Sequence, residues 1–238
     1  MPWEKQQYCN DLIKFVEVIN RYDDIGCIGN GVGGLYAIEN QYRYSDSTEL
    51  RISGITLTIR KKIAGTRPLD VEALNIYIDC SFDIDMTLDV DVYDPIKMYD
   101  LQLMIVGDVG GEEYLNCWHL DKDIPPKEGD SHKNTHPSYH FQAGGNRLEG
   151  KNIGQLLQLG APRLPHPPMD IFLAIHFVIN NFFNKNDYPF IENLFNDLDY
   201  IDILDRARNR MFVPYFKSFK DNCRHQDFTI GKVFPLAV

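Results

Sequence analysis

The clearest pattern in the chain is an alternation of apolar and polar residues from Ile76 to Val92. Every even position in this stretch is apolar, whereas the odd positions carry Tyr, Asp, Ser or Thr. A period of two residues is typical of a strand with one buried and one solvated face. The stretch therefore predicts one long bent strand, or two strands joined by a turn near residues 83 to 85.

Shorter alternations predict the rest of a sheet. They cover residues 35–44, 50–63, 101–106, 114–120 and 138–142. A further short element is predicted at residues 153–159. The apolar phase of the second stretch slips by one residue at Gly54, which predicts a bulge or tight turn. The glycine-rich run at 107–111 predicts a hairpin between the strands on either side.

Helical periodicity appears at both ends of the chain. Residues 5–21 form an amphipathic pattern, and a proline-rich connector from Ala161 leads into an almost entirely apolar helix at 169–183. Two more helices are predicted at 187–198 and 199–221. Together these elements predict a single α+β domain over residues 1–238: an N-terminal helix, a mainly antiparallel sheet of about five to seven strands between 35 and 143, and a helical layer at 168–222 on one face.

The glycines at 29, 31 and 34 satisfy the dinucleotide-binding spacing G-x-G-x-x-G. That fingerprint requires a buried strand before it and a helix after it. Only four residues, 25–28, are left for a strand, and residues 35–44 alternate like a strand. A glycine-rich turn is therefore predicted here.

Composition and charge narrow the class of protein. With 44% hydrophobic and 24% charged residues the chain is typical of a globular protein, and its net charge of −10 opposes nonspecific binding of nucleic acid except through a local basic patch. The five cysteines are scattered without a C-x-x-C pair, so a disulfide framework is not expected. We see no signal sequence and no apolar run long enough to span a membrane, which favours a cytoplasmic location and no membrane partner.

Candidate chemistry concentrates in residues 114–142, which hold four of the seven histidines. Two predicted strands flank a polar, proline-rich loop at 121–137, and loops of this length are often functional. If the strands pair, antiparallel pairing allows His119 and His140 to share a face, close to Asp121. The acidic odd positions of the 76–92 stretch are a second candidate for metal, but a solvated strand face explains them as well.

Three chemistries are open for the histidines. The first is metal-free acid–base catalysis by His119 and His140, with Asp121 orienting one imidazole and Arg163 or Lys133 holding an anion. The second is zinc bound by His132, His136, His140 or His119 together with Asp121. The third is nucleophilic attack by Cys117. Against all three stands a structural interpretation, in which the histidines and aromatic residues only fix the loop.

We assign the candidate residues by role. The predicted catalytic residues are His119, His140, Asp121 and Tyr139, and the predicted ligand-binding residues are Arg163, His136, His166 and Trp118. No metal and no cofactor are expected. His176, inside the apolar helix, is expected to be a hydrogen-bonded packing residue.

Three strings carry a resemblance: C-W-H-L-D at 117–121, H-P-S-Y-H-F-Q-A-G-G at 136–145 and P-R-L-P-H-P-P-M-D at 162–170. They resemble an uncharacterised family of bacterial proteins to which no activity is attached. The order of elements is also similar to the ubiquitin-conjugating and RWD layout. That family's active cysteine follows its His-Pro, whereas here no cysteine follows His136-Pro137 until Cys223. The resemblance thus implies a binding module without conjugating activity.

These observations favour a binding or accessory module of a bacterial multi-protein system, with protein partners. The alternative is a metal-independent hydrolase that cleaves a phosphodiester or nucleic acid with its histidine pair.

Overall fold

The computed structural model describes residues 3–68, 71, 73–123, 135–145, 148–151, 163–220 and 222–235. In chain order its elements are α1 (Lys5–Tyr22), α2 (Gly29–Val32), α3 (Leu35–Arg43), β1 (Glu49–Ile59), β2 (Leu74–Ile84), β3 (Ile96–Val109), β4 (Glu112–Lys122), β5 (Tyr139–Ala143), β6 (Leu164–Pro165), α4 (Ile171–Phe182), α5 (Phe190–Asn196), α6 (Leu198–Lys217) and α7 (Ile230–Val233). The predicted α+β fold, with an N-terminal helix, an antiparallel sheet and C-terminal helices, is confirmed.

The six strands form one antiparallel sheet in the order β1-β2-β3-β4-β5-β6, so each strand pairs with its neighbour in the chain. The register of β1 against β2 shifts between Ile52 and Ile55, where Gly54 has a φ of +75°. This is the predicted bulge. Gly110 and Gly111, both with positive φ, close the predicted hairpin between β3 and β4.

One face of the sheet forms the core. The even-numbered apolar side chains of β2 are buried, as the alternation predicts. Tyr8 of α1 packs its ring against Phe82 of β2 and Phe172 of α4, so these two helices cover this face. The opposite face carries the polar positions of the strands, and it is the face that holds the candidate site.

The apolar helix α4 begins with a buried cap. The Asp170 carboxylate accepts a hydrogen bond from the Leu173 backbone N–H at 3.1 Å. Asp170 is fully buried, and burial raises the pKa of its carboxyl even though the Arg210 guanidinium, 3.1 Å away, counteracts this. Arg210 also lies 3.6 Å from the buried Asp11 of α1. A buried ion network therefore joins α1, α4 and α6.

The predicted strand at 35–44 is wrong, because these residues form helix α3. Its buried residues, Leu35, Glu39 and Tyr42, have the i, i+4, i+7 spacing of one helix face. In a segment this short, three buried positions are too few to distinguish a period of 3.6 from a period of 2. The predicted sheet region therefore begins at Glu49, and β6 extends the sheet beyond residue 143.

The long alternation of apolar residues continues past the end of β2 without being strand. Beyond Ile84 the chain turns, and the Asp85 carboxylate accepts hydrogen bonds from the backbone N–H and hydroxyl of Thr87, while Asp89 accepts from the Asp91 N–H. Asp residues in such turns bind their own backbone. The prediction of strand for 86–92 is thus wrong. The predicted element at 153–159 lies outside the described residues.

Close packing explains the glycine motif. Helix α2 crosses β1 so tightly that a Cβ on Gly31 would lie 1.7 Å from the Thr56 carbonyl oxygen. A helix follows the glycines, contrary to the strand that the sequence predicted, but the element before them is helix α1 and the sheet is antiparallel. The strand–turn–helix unit of a dinucleotide site is therefore absent from the described residues of this region.

None of the helices in the described part of the chain combines the length and the apolar content that crossing a membrane requires.

Candidate functional site

The pairing of β4 with β5 sets the positions of the histidines. Asp121 lies directly opposite His140, and His119 lies opposite Gln142. Side chains of opposite residues in antiparallel strands project from the same face of the sheet. The predicted adjacency of these two strands is confirmed, and it brings His119, Asp121 and His140 to the polar face.

Two imidazoles converge on one carboxylate. His140 Nε2 lies 2.9 Å from Asp121 Oδ1, and His119 Nε2 lies 3.8 Å from Asp121 Oδ2. His140 is buried, with 5% of its side chain exposed, whereas 36% of the Asp121 side chain remains exposed. The carboxylate therefore stands between two imidazoles with one side open to solvent.

The short contact between His140 and Asp121 is not a hydrogen bond. The ring N–H direction does not point at the carboxylate, and Asp121 Oδ1 has no hydrogen-bond partner among the described residues although it is inaccessible to solvent. His140 Nδ1 is likewise buried without a partner. Buried polar atoms are nearly always hydrogen-bonded, and exceptions concentrate where a ligand, ion or water binds.

The ring of His119 is fixed by the backbone. Its Nδ1 lies 3.4 Å from the carbonyl oxygen of Gly144. Because a carbonyl can only accept, this contact places a proton on Nδ1 and directs the Nε2 side of the ring towards Asp121. Gly145, with a φ of +103°, leaves the space that the ring occupies, since a Cβ there would lie 2.9 Å from His119 Nδ1.

These residues form the floor of an open polar basin of about 610 Å³. Its lining residues are Asp100, Gln102, His119, Asp121, Lys122, Asp123, His136, His140, Gln142, Gly145 and Arg163. Arg163 is the basic side chain of interest, because its Nε is buried without a hydrogen-bond partner among the described residues. The Lys122 ammonium is instead engaged, 2.7 Å from Asp94 Oδ2.

Six of the lining residues were not predicted from the sequence: Asp100, Gln102, Lys122, Asp123, Gln142 and Gly145. Asp100 and Gln102 come from β3, opposite Asp121 and His119, and Gln102 donates to Asp100 at 2.6 Å. Finding them requires the register of β3 on β4. Gln142 lies two residues after His140 on β5, so the alternation of the strand could have predicted that both side chains share a face. Asp123 lies 3.1 Å from the ring of His136, the predicted ligand residue at the rim.

Three of the predicted site residues lie away from the basin. The Tyr139 hydroxyl is buried and donates to Asp94 Oδ2 at 2.7 Å. Trp118 stacks on Phe141 on the core side of the sheet, and the centroid of the His166 ring lies 5.6 Å from that of Phe141. Burial lowers the pKa of His166. Tyr139, Trp118 and His166 therefore do not belong to the group formed by His119, Asp121 and His140, which we call the centre.

The other chemistries find less support in the geometry. Cys117 is buried, and desolvation raises the pKa of its thiol, which is opposite to the change that activates a nucleophilic cysteine. Asp79, on the acidic face of β2, accepts a hydrogen bond from the Gly54 backbone N–H at the bulge. His132 and Lys133 lie outside the described residues.

One group of side chains in the described part of the chain has the composition and spacing for a metal ion. His119, Asp121 and His140 each offer one ligand atom, and these atoms all lie within 4.8 Å of one another. His176, in contrast, is a packing residue as expected: it hydrogen-bonds to the Tyr200 hydroxyl at 3.1 Å, and burial lowers its pKa to about 4.

Comparison of the chain with protein-family models, with curated proteins and with solved structures gives no match in any of the three.

Proposed function

We propose that this chain is a hydrolase that cleaves an ester of phosphate in the polar basin. The observation that carries the proposal is the convergence of two imidazoles, His119 and His140, on the Asp121 carboxylate at the floor of an accessible cavity. Hydrolysis requires groups that take up and release protons at one point, and it requires space for a substrate beside them.

Hydrolysis of a phosphate ester needs a proton acceptor, a proton donor and a group that binds the phosphate. The centre accepts a proton from a water molecule, whose oxygen attacks phosphorus. The bond between phosphorus and the leaving oxygen then breaks, and that oxygen takes up a proton. Arg163 faces the same basin, and its guanidinium suits a phosphate oxygen in charge and geometry.

The test is hydrolysis of bis(p-nitrophenyl) phosphate, p-nitrophenyl phosphate and short RNA and DNA by the purified chain. We expect Asp121→Asn and His140→Ala to lower the rate at least about 100-fold, because removal of a proton-transfer group typically costs that much. Arg163→Gln should mainly raise KM. His176→Gln, which changes a histidine far from the basin, is the matched control.

Cys117→Ala separates this proposal from thiol chemistry, since residue 117 lies on the same strand and face as His119. It should leave the rate unchanged. Absence of hydrolysis of every substrate class by the wild-type chain, with and without added divalent ions, would refute the proposed function.

A second candidate function is binding of a partner protein. It is favoured by exposed hydrophobic side chains around the end of α6: Val213, Phe216, Phe219 and Ile230. A photo-crosslinking residue at position 216 should then give one defined adduct in cells, and Phe219→Ser should abolish it. Failure to form any adduct would remove this candidate.

A further inference from the structure

We propose that His119, Asp121 and His140 bind one divalent transition-metal ion, with zinc as the first candidate. This inference goes beyond the proposed hydrolysis and does not depend on it, because it rests on the arrangement of the three ligand groups. It revises the sequence-based expectation of a centre without metal.

The ligand set fits such an ion. Two imidazole nitrogens and one carboxylate oxygen are the donors that zinc and neighbouring divalent metals prefer, whereas magnesium and calcium favour oxygen donors alone. Three protein ligands leave further positions for water, as catalytic zinc sites do. The basin lies on the solvent side of the three residues, so those open positions can face a substrate.

The distances fit as well. With metal–ligand bonds of about 2.0 to 2.2 Å, two ligands of one ion lie roughly 3 to 3.5 Å apart. His140 Nε2 and Asp121 Oδ1 are 2.9 Å apart, and all three ligand atoms lie within 4.8 Å of one another.

A buried oxygen atom without a hydrogen-bond partner also supports a metal ion at this position. Asp121 Oδ1 is inaccessible to solvent and lacks a hydrogen bond among the described residues, although an imidazole nitrogen lies 2.9 Å from it. His119 directs Nε2 towards the same carboxylate, because its Nδ1 faces the Gly144 carbonyl. Histidine ligands also commonly donate their other N–H to a backbone carbonyl, as His119 does.

Charge gives an independent reason. Asp100, Asp121 and Asp123 line the basin, while the ammonium of Lys122 is engaged by Asp94. The Asp121 carboxylate lies beside the two imidazoles, and Asp100 adds a second carboxylate to the same basin. A bound divalent cation would offset this negative charge. When bound, the ion would also lower the pKa of a coordinated water.

The test is isothermal titration of the EDTA-dialysed chain with ZnCl₂ and with CoCl₂, together with visible absorption of the Co²⁺ form. We expect one ion per chain, and a loss of affinity of at least 10-fold in each of His119→Ala, Asp121→Asn and His140→Ala. His176→Gln should bind as the wild type does. Circular dichroism melts of the variants check that each one is folded.

The results separate this inference from the proposed hydrolysis. If folded wild-type protein binds neither ion, or if the three variants bind as tightly as the wild type, the metal site is refuted. Hydrolysis that persists in EDTA and still requires Asp121 would then keep the proposed function. Binding of one ion that depends on the three residues, without hydrolysis of any substrate, would support the metal site and reject the proposed function.

Discussion

Tyr139 and His140 are consecutive residues of β5 whose side chains project from opposite faces of the sheet. The Tyr139 hydroxyl donates to Asp94 at 2.7 Å. Among the described residues, His140 has no hydrogen-bond partner at Nδ1, and its Nε2 makes a misaligned contact with Asp121. The polar atom of Tyr139 therefore has a hydrogen-bond partner, whereas Nδ1 of His140 has none among the described residues. The two positions should therefore respond differently to substitution.

His140→Leu should leave the free energy of unfolding unchanged in EDTA, or raise it by up to about 1 kcal/mol. The substitution removes a buried nitrogen, Nδ1, that lacks a hydrogen-bond partner among the described residues. Urea unfolding followed by circular dichroism measures the change. A loss of more than about 2 kcal/mol would mean that His140 is a structural residue.

Tyr139→Phe should lower the free energy of unfolding by about 1 to 3 kcal/mol, because it removes a donor to the buried Asp94 carboxylate. Lys122 remains beside that carboxylate and limits the loss. Metal affinity and hydrolysis should stay close to wild type. A selective loss of hydrolysis in a stable variant would return Tyr139 to the catalytic set.

Gly145→Ala should reduce Zn²⁺ affinity about 10- to 100-fold, which is the usual cost of disturbing a group that orients a metal ligand. The new Cβ would lie 2.9 Å from His119 Nδ1 and push the ring aside. Gly150→Ala is the matched control, since Gly150 also has a positive φ of +72° but has open space around it. The control should lose only stability. Equal metal affinities of the two variants would contradict the role given to Gly145.

Arg210→Met should lower the free energy of unfolding at pH 7 by about 3 to 5 kcal/mol, because it leaves the buried Asp170 carboxylate without its cation. Burial already raises the pKa of Asp170 above its unfolded value. The folded variant therefore binds a proton more readily than the unfolded chain, and its deficit should shrink as the pH falls towards about 4. Arg208→Met, which breaks an exposed pair with Asp205, should cost less than about 1 kcal/mol.

Acid should destabilise the chain through His176. Burial lowers the pKa of this imidazole to about 4 in the folded state, whereas the unfolded value is about 6.5. The unfolded chain binds the proton first, so the contribution is complete above pH 6.5 and is lost as the pH falls towards 4. Between pH 7 and 4.5, wild type should lose roughly 1 to 3 kcal/mol more than His176→Gln in urea unfolding. Parallel losses would disprove the assignment.

Strand alternation predicted most of the sheet because one face is buried and the other is not. The same rule failed beyond Ile84, where Asp85 and Asp89 preserve the alternation but bind their own turns. It failed again at Leu35, since a nine-residue helix buries too few positions to reveal its period. In the first segment the side chains of the turn decided the structure, and in the second the helix was too short for its period to be recognised.

For the candidate site, parity predicted that His119 and His140 share a face. The same parity assigns Tyr139 and Trp118 to the other face. The sequence alone could therefore have excluded these two residues from the site. Gln102 could not be found in this way, because its position beside His119 depends on the register of β3 against β4. Arg163 comes from a segment whose described residues pair with β5 through Leu164 and Pro165, and the sequence carries no alternation there that would predict this pairing.

The sequential order of the strands has a consequence for the folding pathway. Every pairing in the sheet joins segments that are neighbours in the chain, so little loop entropy is lost when each hairpin closes. The bond between Asp11 and Arg206, in contrast, joins residues 195 positions apart. Contacts of such separation are the slowest to form. We therefore expect the β-meander, which includes the strands of His119 and His140, to assemble before the two ends of the chain dock. The centre should then form before the helical layer covers the opposite face of the sheet.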